Sequence, residues 1–293
     1  RCTVTLATIL ALTGFDPSLA AEEPAPGGAA HIPAMLQNIP DPAGGAAAGS
    51  AEDLAKKLAN PVASLISVPL QFNYDAGFDR PGDDGYRLTL NVQPVIPFSL
   101  TDKLNLITRT IVPVIYQDDV VRDSDATQFG LGDTVQSFFF SPKEPGPGGL
   151  IWGVGPVFLW PTATNDSLGS EKWGIGPTGV VLLQHGPWTF GALANHIWSY
   201  AGDDDRRAVN ATFLQPFLNY TTKSALTFFF NVESTYDWNA EEWTIPINIG
   251  ANQLLKLGNQ PIQVGGGLRY FADAPDGGPD WGLRFTVTFL FPR

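Results

Sequence analysis

Positive charge is scarce in this chain. Its 293 residues carry 17 Lys and Arg against 29 Asp and Glu, a formal net charge of −12. Charged residues make up only 16%, against roughly 25% in an average soluble domain. No basic stripe exists to neutralise phosphates, which argues against nucleic acid as a partner. A single cysteine, Cys2, excludes a disulfide scaffold. No run approaches the ~18 uninterrupted apolar residues of a membrane helix, yet mean hydropathy is +0.01. Histidine is limited to His31, His185 and His196. There is no Gly-x-Ser-x-Gly elbow, metal-spaced His pair or phosphate loop, so no enzyme, cofactor or metal site is expected. His196 with Ser199 or Asp203 is the one catalytic pairing to consider, and interfacial packing suits His196 better. The run Asp203-Asp204-Asp205 offers oxygen ligands to Ca²⁺, but Arg206 and Arg207 come directly after it, which favours local ion pairing.

Glycine and proline are plentiful, with 31 and 25 residues, and they disfavour a helical bundle. The N-terminal residues predict a signal peptide over 1–20, with its n-region cut short. Thr3 to Phe15 is the apolar stretch, and Ser18-Leu19-Ala20 the small-x-small cleavage site. A buried N-terminal helix is the alternative, disfavoured by the abrupt switch to Glu22-Glu23-Pro24. Cys2 would leave with the signal. Residues 21–50 are Ala/Gly/Pro-rich and read as a flexible leader. A short helix is predicted over 51–60, with Ser50 as N-cap, Leu54 and Leu58 on one stripe, and Asn60-Pro61 as the stop. This helix either lies at the mouth of the domain formed by the remaining residues or acts as its plug.

Beyond residue 61 the period becomes two. Ile66, Val68, Leu70, Phe72 and Tyr74 alternate with Ser67, Pro69, Gln71, Asn73 and Asp75, and Leu283, Phe285, Val287, Phe289 and Phe291 alternate with Arg284, Thr286 and Thr288. About twelve such segments are predicted: 63–75, 86–98, 103–117, 127–140, 150–160, 172–184, 188–200, 208–220, 224–237, 243–256, 261–271 and 281–291. Most exceed the ~5–6 residues usual in soluble sheets and suit tilted strands crossing a bilayer. Alternate connections hold clusters of acid, such as Asp79, Asp83 and Asp84, or Asp203 to Asp205, whereas the others are short and carry Lys103, Lys143, His185, Lys223 and Lys256. Six Trp (160, 173, 198, 238, 243, 281) fall beside acidic loops, and Trp152 and Trp188 beside short turns. Interfacial girdles predict this placement. The expected fold is therefore all-β: a transmembrane antiparallel up-and-down barrel of about twelve strands over 61–293, with a short N-terminal helix and acidic loops outside.

Pro69, Pro94, Pro97, Pro113, Pro156, Pro177, Pro216 and Pro246 lie within predicted strands, where bulges or strand ends must accommodate them. The phases of 127–140 and 188–200 are ambiguous. Asp133 faces lipid unless a bulge intervenes, and His196 shares the ambiguity. Gly153, Gly155, Gly174, Gly176 and Gly265 to Gly267 read as small inward positions.

Several strings go beyond architecture: Gly130-Leu131-Gly132-Asp133-Thr134, Trp152-Gly153-Val154-Gly155-Pro156, Trp173-Gly174-Ile175-Gly176-Pro177, Gln215-Pro216-Phe217-Leu218-Asn219-Tyr220 and Trp281-Gly282-Leu283-Arg284-Phe285. Together, over about 51–293, they resemble the bacterial outer-membrane barrel family named for the meta-pathway of phenol degradation, whose members also carry the labels transporter and neuromedin U. The resemblance implies an outer-membrane barrel that takes up aromatic or hydrophobic compounds, and brings no catalytic residues. The ending Phe291-Pro292-Arg293 departs from the terminal Phe that many such barrels present to the barrel-assembly machinery.

If apolar faces meet lipid, Arg87, Arg109, Arg269, Arg284, Asp75 and Glu233 point into the lumen. They form either a salt-bridge network stiffening the wall or a cationic patch steering anionic or aromatic solutes. A channel predicts a lumen lined by Gln71, Asn73, Asn91, Gln93, Asn248 and Thr286. The expected function is small-molecule passage across the outer membrane, with lipid and solutes as partners. The alternatives are a non-conducting structural or adhesive barrel and a barrel-embedded hydrolase.

Overall fold

The computed structural model describes residues 51–78, 85–121 and 127–292. The expectations for the signal, the leader, Ser50 and the acids at 79, 83, 84, 123 and 125 lie outside the described residues.

Helix α1 (Ala51–Leu58) is followed by strands β1 (Ile66–Phe78), β2 (Gly85–Val92), β3 (Val95–Ser99), β4 (Leu104–Asp118), β5 (Gln128–Leu131), β6 (Thr134–Pro142), β7 (Ile151–Trp160) and β8 (Lys172–His185). The second half holds β9 (Trp188–Gly202), β10 (Asn210–Thr221), β11 (Leu226–Val232), β12 (Ser234–Asp237), β13 (Glu242–Thr244), β14 (Pro246–Leu257), β15 (Gln260–Phe271) and β16 (Trp281–Phe291). Four pairs, β2/β3, β5/β6, β11/β12 and β13/β14, are single staves interrupted once, so sixteen strands make twelve staves. Each stave pairs antiparallel with its neighbours, and β1 pairs with β16 from Ile66↔Phe291 to Ala76↔Trp281. The sheet thus closes into a twelve-strand antiparallel barrel.

Beyond shifts of one or two residues at other strand ends, two elements depart from expectation for a structural reason. The first strand begins at Ile66 and runs to Phe78, because residues 63–65 belong to a segment inside the barrel. The helix stops at Leu58, two residues early, and Asn60 then turns the chain by accepting a hydrogen bond from Val62 N at 3.0 Å.

Proline sets the interruptions. Pro94 separates β2 from β3, and Pro246 opens β14 after the break with β13. Pro216 lies between the β10 residues paired with β11 and those paired with β12. Across from Pro113, the β5/β6 break is a one-residue bulge. Ile115 pairs with Gly130 but Ile111 with Val135, so the inward phase passes from even to odd numbers. This bulge resolves Asp133. Its carboxylate accepts hydrogen bonds from Ala163 N at 3.3 Å, Ser170 N at 2.6 Å and Ser170 Oγ at 2.7 Å, tying down the loop before β8.

The outer face is mostly apolar, exposing residues such as Phe72, Val154, Ile175, Phe190, Phe230, Ile249, Leu268 and Phe285. An exterior of this kind suits hydrocarbon rather than water. Aromatic rings collect at both rims. At the long-loop rim Trp281, Tyr74, Tyr86 and Tyr116 succeed one another at centroid spacings of 5.9 to 6.0 Å. At the opposite rim, where β1 starts and β16 finishes, Trp188 meets Tyr220 at 4.8 Å.

The premise that polar residues fill the inner face needs correction. From β4 to β10 the inner face is largely apolar as well: Ile107, Phe139, Val180, Leu182 and Leu193 form one buried cluster, and Val157, Leu159 and Ile197 another. Alternation fails as a signal there because both faces are hydrophobic.

The inward glycines also do more than leave room. Pro156 and Pro177 face each other across β7 and β8, and each comes directly after a glycine. The β8–β9 ladder skips from Ile175↔Trp198 to Thr178↔Asn195, so the strands close up beside Pro177. A Cβ on Gly176 would sit 1.7 Å from the His196 carbonyl oxygen. On Gly179, three residues on, it would meet nothing nearer than 3.6 Å. Gly176→Ala is therefore expected to abolish the compact, heat-modifiable band of the folded barrel in unboiled gel samples, while Gly179→Ala keeps it. Equal folding of both would refute this account of the motif.

Candidate functional site

The lumen holds the charges that composition made rare. Ladder partners share a face of the sheet, so the register carries the inward assignment from stave to stave. Asp75, Arg87, Arg109, Glu233, Arg269 and Arg284 all face in, as do Gln71, Asn73, Asn91 and Gln93. Asn248 and Thr286 do so too.

A belt ties β11/β12 to β1 across the intervening staves. Glu233, in the break between β11 and β12, accepts two parallel bonds from Arg284, Nη1 to Oε1 and Nη2 to Oε2, both at 2.8 Å. Arg269 Nη1 reaches the same carboxylate at 3.3 Å, and its Nε reaches Asp75 Oδ1 at 2.9 Å. Asn73 accepts from Arg284 Nε at 2.8 Å, and Asn248 from Arg269 Nη1 at 3.1 Å. Both guanidinium groups are nearly dry, with side chains 8% and 5% exposed for Arg269 and Arg284. Burial on this scale demands the fork geometry and the amide partners seen here.

Two further arginines lie outside this belt. Arg87 Nε donates to Gln117 Oε1 at 2.8 Å, and Gln117 donates on to Gln128 at 3.1 Å. Arg109 Nη2 donates to Gln93 Oε1 at 2.9 Å. Among the described residues neither arginine has a carboxylate within ion-pair distance. The expected charges are thus present inside, but they divide into a paired belt and a pair of amide-held cations.

Helix α1 and residues 59–65 occupy the barrel end at which β1 starts and β16 finishes. Leu54, Ala55 and Leu58 pack on Ala225, Leu254 and Leu290 at one side. Val62 enters the apolar cluster of Ile107, Phe139 and Leu182 at the other. Gln184 Nε2 donates to the Lys56 carbonyl at 2.9 Å, and Asn105 Nδ2 to Ser64 Oγ at 2.8 Å. The segment therefore crosses the lumen rather than lying on its rim. It forms one end of a cavity of about 260 Å³ that reaches Arg109 and Arg284. Gln71, Gln93, Gln215 and Asn252 line it together with Leu193, Phe217 and Phe229. Gln215, Phe217 and Phe229 escaped sequence reasoning, because β10 and β11 alternate between two largely apolar faces; the only signal was an amide recurring inside an apolar run.

Other candidates are not assembled. His196 faces outward, its ring centroid 4.0 Å from that of Trp198 and its Nδ1 2.7 Å from Thr212 Oγ1. Thr212 Oγ1 also accepts from Trp238 Nε1 at 2.8 Å. Ser199 lies on the opposite, inward face, where its Oγ accepts from Val209 N at 2.9 Å. The expected ion pairs of Arg206 and Arg207 go outside their own loop instead: Arg206 to Glu171 before β8 at 3.4 Å and Arg207 to Asp237 at the end of β12 at 3.0 Å. The Asp203 carboxylate caps its own turn, accepting from Asp205 N at 2.8 Å. No group of three or more metal-ligating side chains is found among the described residues.

An outer membrane channel from Pseudomonas putida F1 is similar in fold, with a TM-score of 0.63 at 14% identity over 78% of this chain and 96% of that one. Outer membrane phospholipase A from Escherichia coli gives 0.44 at 9% identity, covering 78% of this chain and 98% of its own. The beta domain of the Bordetella autotransporter BrkA gives 0.41 at 10%, covering 77% and 100%. No family model and no curated protein matches the sequence. The likeness to the Pseudomonas channel establishes the architecture: this chain has the fold of an outer-membrane β-barrel.

Removing the carboxylate at the centre of the belt leaves two buried cations short of a partner. Glu233→Gln is expected to cost about 3 kcal/mol, read as a lowered urea midpoint of the barrel in detergent. Adding Arg284→Met should recover part of that loss, since it removes one stranded cation.

Proposed function

We propose that this protein is a channel of the bacterial outer membrane that passes small molecules, with aromatic or hydrophobic compounds as its cargo class. The observation that carries the reading is the two-sided lumen. From β14 through β16 to β2 the wall carries amides, hydroxyls and the guanidinium belt; from β4 to β10 it carries two buried apolar clusters, Ile107, Phe139, Val180, Leu182 and Leu193 in one and Val157, Leu159 and Ile197 in the other. A solute with a ring and a polar group finds a surface for each part, and arginine faces accept aromatic rings. The resemblance to the phenol meta-pathway barrels supports the same cargo. In this reading the chain is exported with its signal cleaved near Ala20 and assembled by the barrel machinery. The rim with the short turns faces the periplasm, and the acidic loops face outward. The reading is one of passage rather than catalysis, supported by His196 and Ser199 lying on opposite faces of β9.

For a solute to pass, the 59–65 crossing must give way. Ser64 and Asn105 meet side chain to side chain at 2.8 Å. A Ser64→Cys/Asn105→Cys pair in the mature chain should form a disulfide that holds the segment in place. In planar bilayers the reduced protein is expected to show discrete conductance steps that the oxidised form lacks. Phenol should reduce that current saturably. No current in either form would favour a non-conducting structural barrel, and a current indifferent to phenol would remove the aromatic cargo.

A further inference from the structure

The cavity between the α1 segment and the belt has an uneven charge. Lys57, Arg109 and Arg284 contribute to its lining, and no Asp or Glu among the described residues does. Arg284 is committed to Glu233 through two bonds. Arg109 differs: among the described residues its one hydrogen bond goes to the neutral amide of Gln93, through Nη2. A guanidinium has five N–H donors, so most of those on Arg109 have no acceptor among these residues. A second, apolar surface lies in the same cavity. Leu193 on β9, Phe217 on β10 and Phe229 on β11 line it, and Gly250 leaves the space that Phe229 fills, since a Cβ there would lie 2.6 Å from the ring's Cζ.

We infer that this cavity is a binding site for a small organic anion, a carboxylate carried on a single apolar ring, with Arg109 as its anion anchor and Phe217 and Phe229 as its ring wall. The inference rests on the channel reading for its biological sense and narrows the cargo from aromatic compounds to aromatic acids. Three features select this class. The lining attracts a negative charge and offers none in return. The free donors of Arg109 form the planar fork that matches a carboxylate with two bonds. The volume, about 260 Å³, falls just below the ~300 Å³ at which pockets for drug-sized ligands begin, which suits one ring rather than a chain or a fused system. Gln71 adds an amide to the lining, beside Gln93, which holds Arg109, and Gln215, whose Nε2 donates to Glu233 Oε1 at 3.3 Å.

The test is equilibrium binding to the full mature barrel in detergent, by calorimetry, with benzoate, benzyl alcohol and acetate as probes. Benzoate is expected to bind saturably at one site. Benzyl alcohol keeps the ring without the charge and acetate the charge without the ring, so each should bind at least tenfold more weakly. Arg109→Gln should weaken benzoate at least tenfold and leave benzyl alcohol unchanged, while Arg109→Lys recovers part of the loss. Phe217→Ala should weaken benzoate and leave acetate unchanged. Heat-modifiable migration of each variant confirms that the barrel has formed. Equal affinity for benzoate and benzyl alcohol, or benzoate binding untouched by Arg109→Gln in a folded barrel, overturns the inference. Conductance separates the two readings. A wild-type barrel that conducts but ignores benzoate keeps the channel and loses the site. One that binds benzoate without conducting keeps the site and loses the channel.

Discussion

Closure of the sheet is the constraint on which everything else depends. Within hydrocarbon an unpaired peptide group has no water to turn to, so a strand edge cannot be left open. The seam between β1 and β16 removes the last edge through eleven consecutive register pairs, from Ile66↔Phe291 to Ala76↔Trp281. That register also places Asn73 beside Arg284, so the seam aligns one end of the charged belt. The belt in turn joins staves on both sides of the seam, since Glu233 on the β11/β12 stave and Asp75 on β1 share Arg269. Backbone closure and lumenal charge pairing therefore hold the same region twice over.

Closure makes proline hard to place, and this chain is rich in it. An open sheet would put proline at an edge; a ring has none. The solution is to concentrate the missing donors. Pro94, Pro216 and Pro246 all sit at or opposite stave interruptions, so breaks on neighbouring staves coincide rather than multiply. The residue released at one break is Glu233, whose backbone N still donates to the Pro246 carbonyl at 3.0 Å. The site's central carboxylate thus comes from a position where the ladder is already relaxed, with room for its side chain to reach its partners. Pro156 and Pro177 obey another rule: they face each other, and the glycines before them let adjacent backbones close the gap.

Much of this was legible in the residues. Regular alternation, clearest in β1, β2 and β16, revealed the strands, their faces and their number, and acid and short turns fell on alternate connections, as an up-and-down barrel requires. The inward direction of Arg87, Arg269 and Arg284 came from the same alternation. It failed where its premise failed. In β6 and β9 apolar residues stand on both faces, so period two carries little contrast and the phase could not be read. The bulge at Gly132-Asp133 was visible only as an acid in an impossible place. The crossing of residues 59–65 through the lumen left no pattern at all, because Val62 and Leu65 are ordinary apolar residues whose partners lie on distant staves. Pairing inside the lumen was equally hidden: sequence placed four arginines there but not which two would find Glu233.

That division among the arginines gives the lumen its character. A buried guanidinium bound to a carboxylate has its charge neutralised locally, and its removal is a matter of stability. Arg269 and Arg284 are of this kind. A guanidinium held by a neutral amide keeps its charge, and the surrounding low-dielectric wall projects that charge into the space in front of it. Arg109, which Gln93 orients from the adjoining stave, is of the second kind, and it lines the cavity. The chain as a whole is strongly acidic, and its acids crowd the loops at one rim. Inside, cations outnumber carboxylates among the described residues. A negative charge is therefore repelled at the loops and attracted within. A neutral amide on Arg109, where the belt arginines have a carboxylate, is what preserves this gradient.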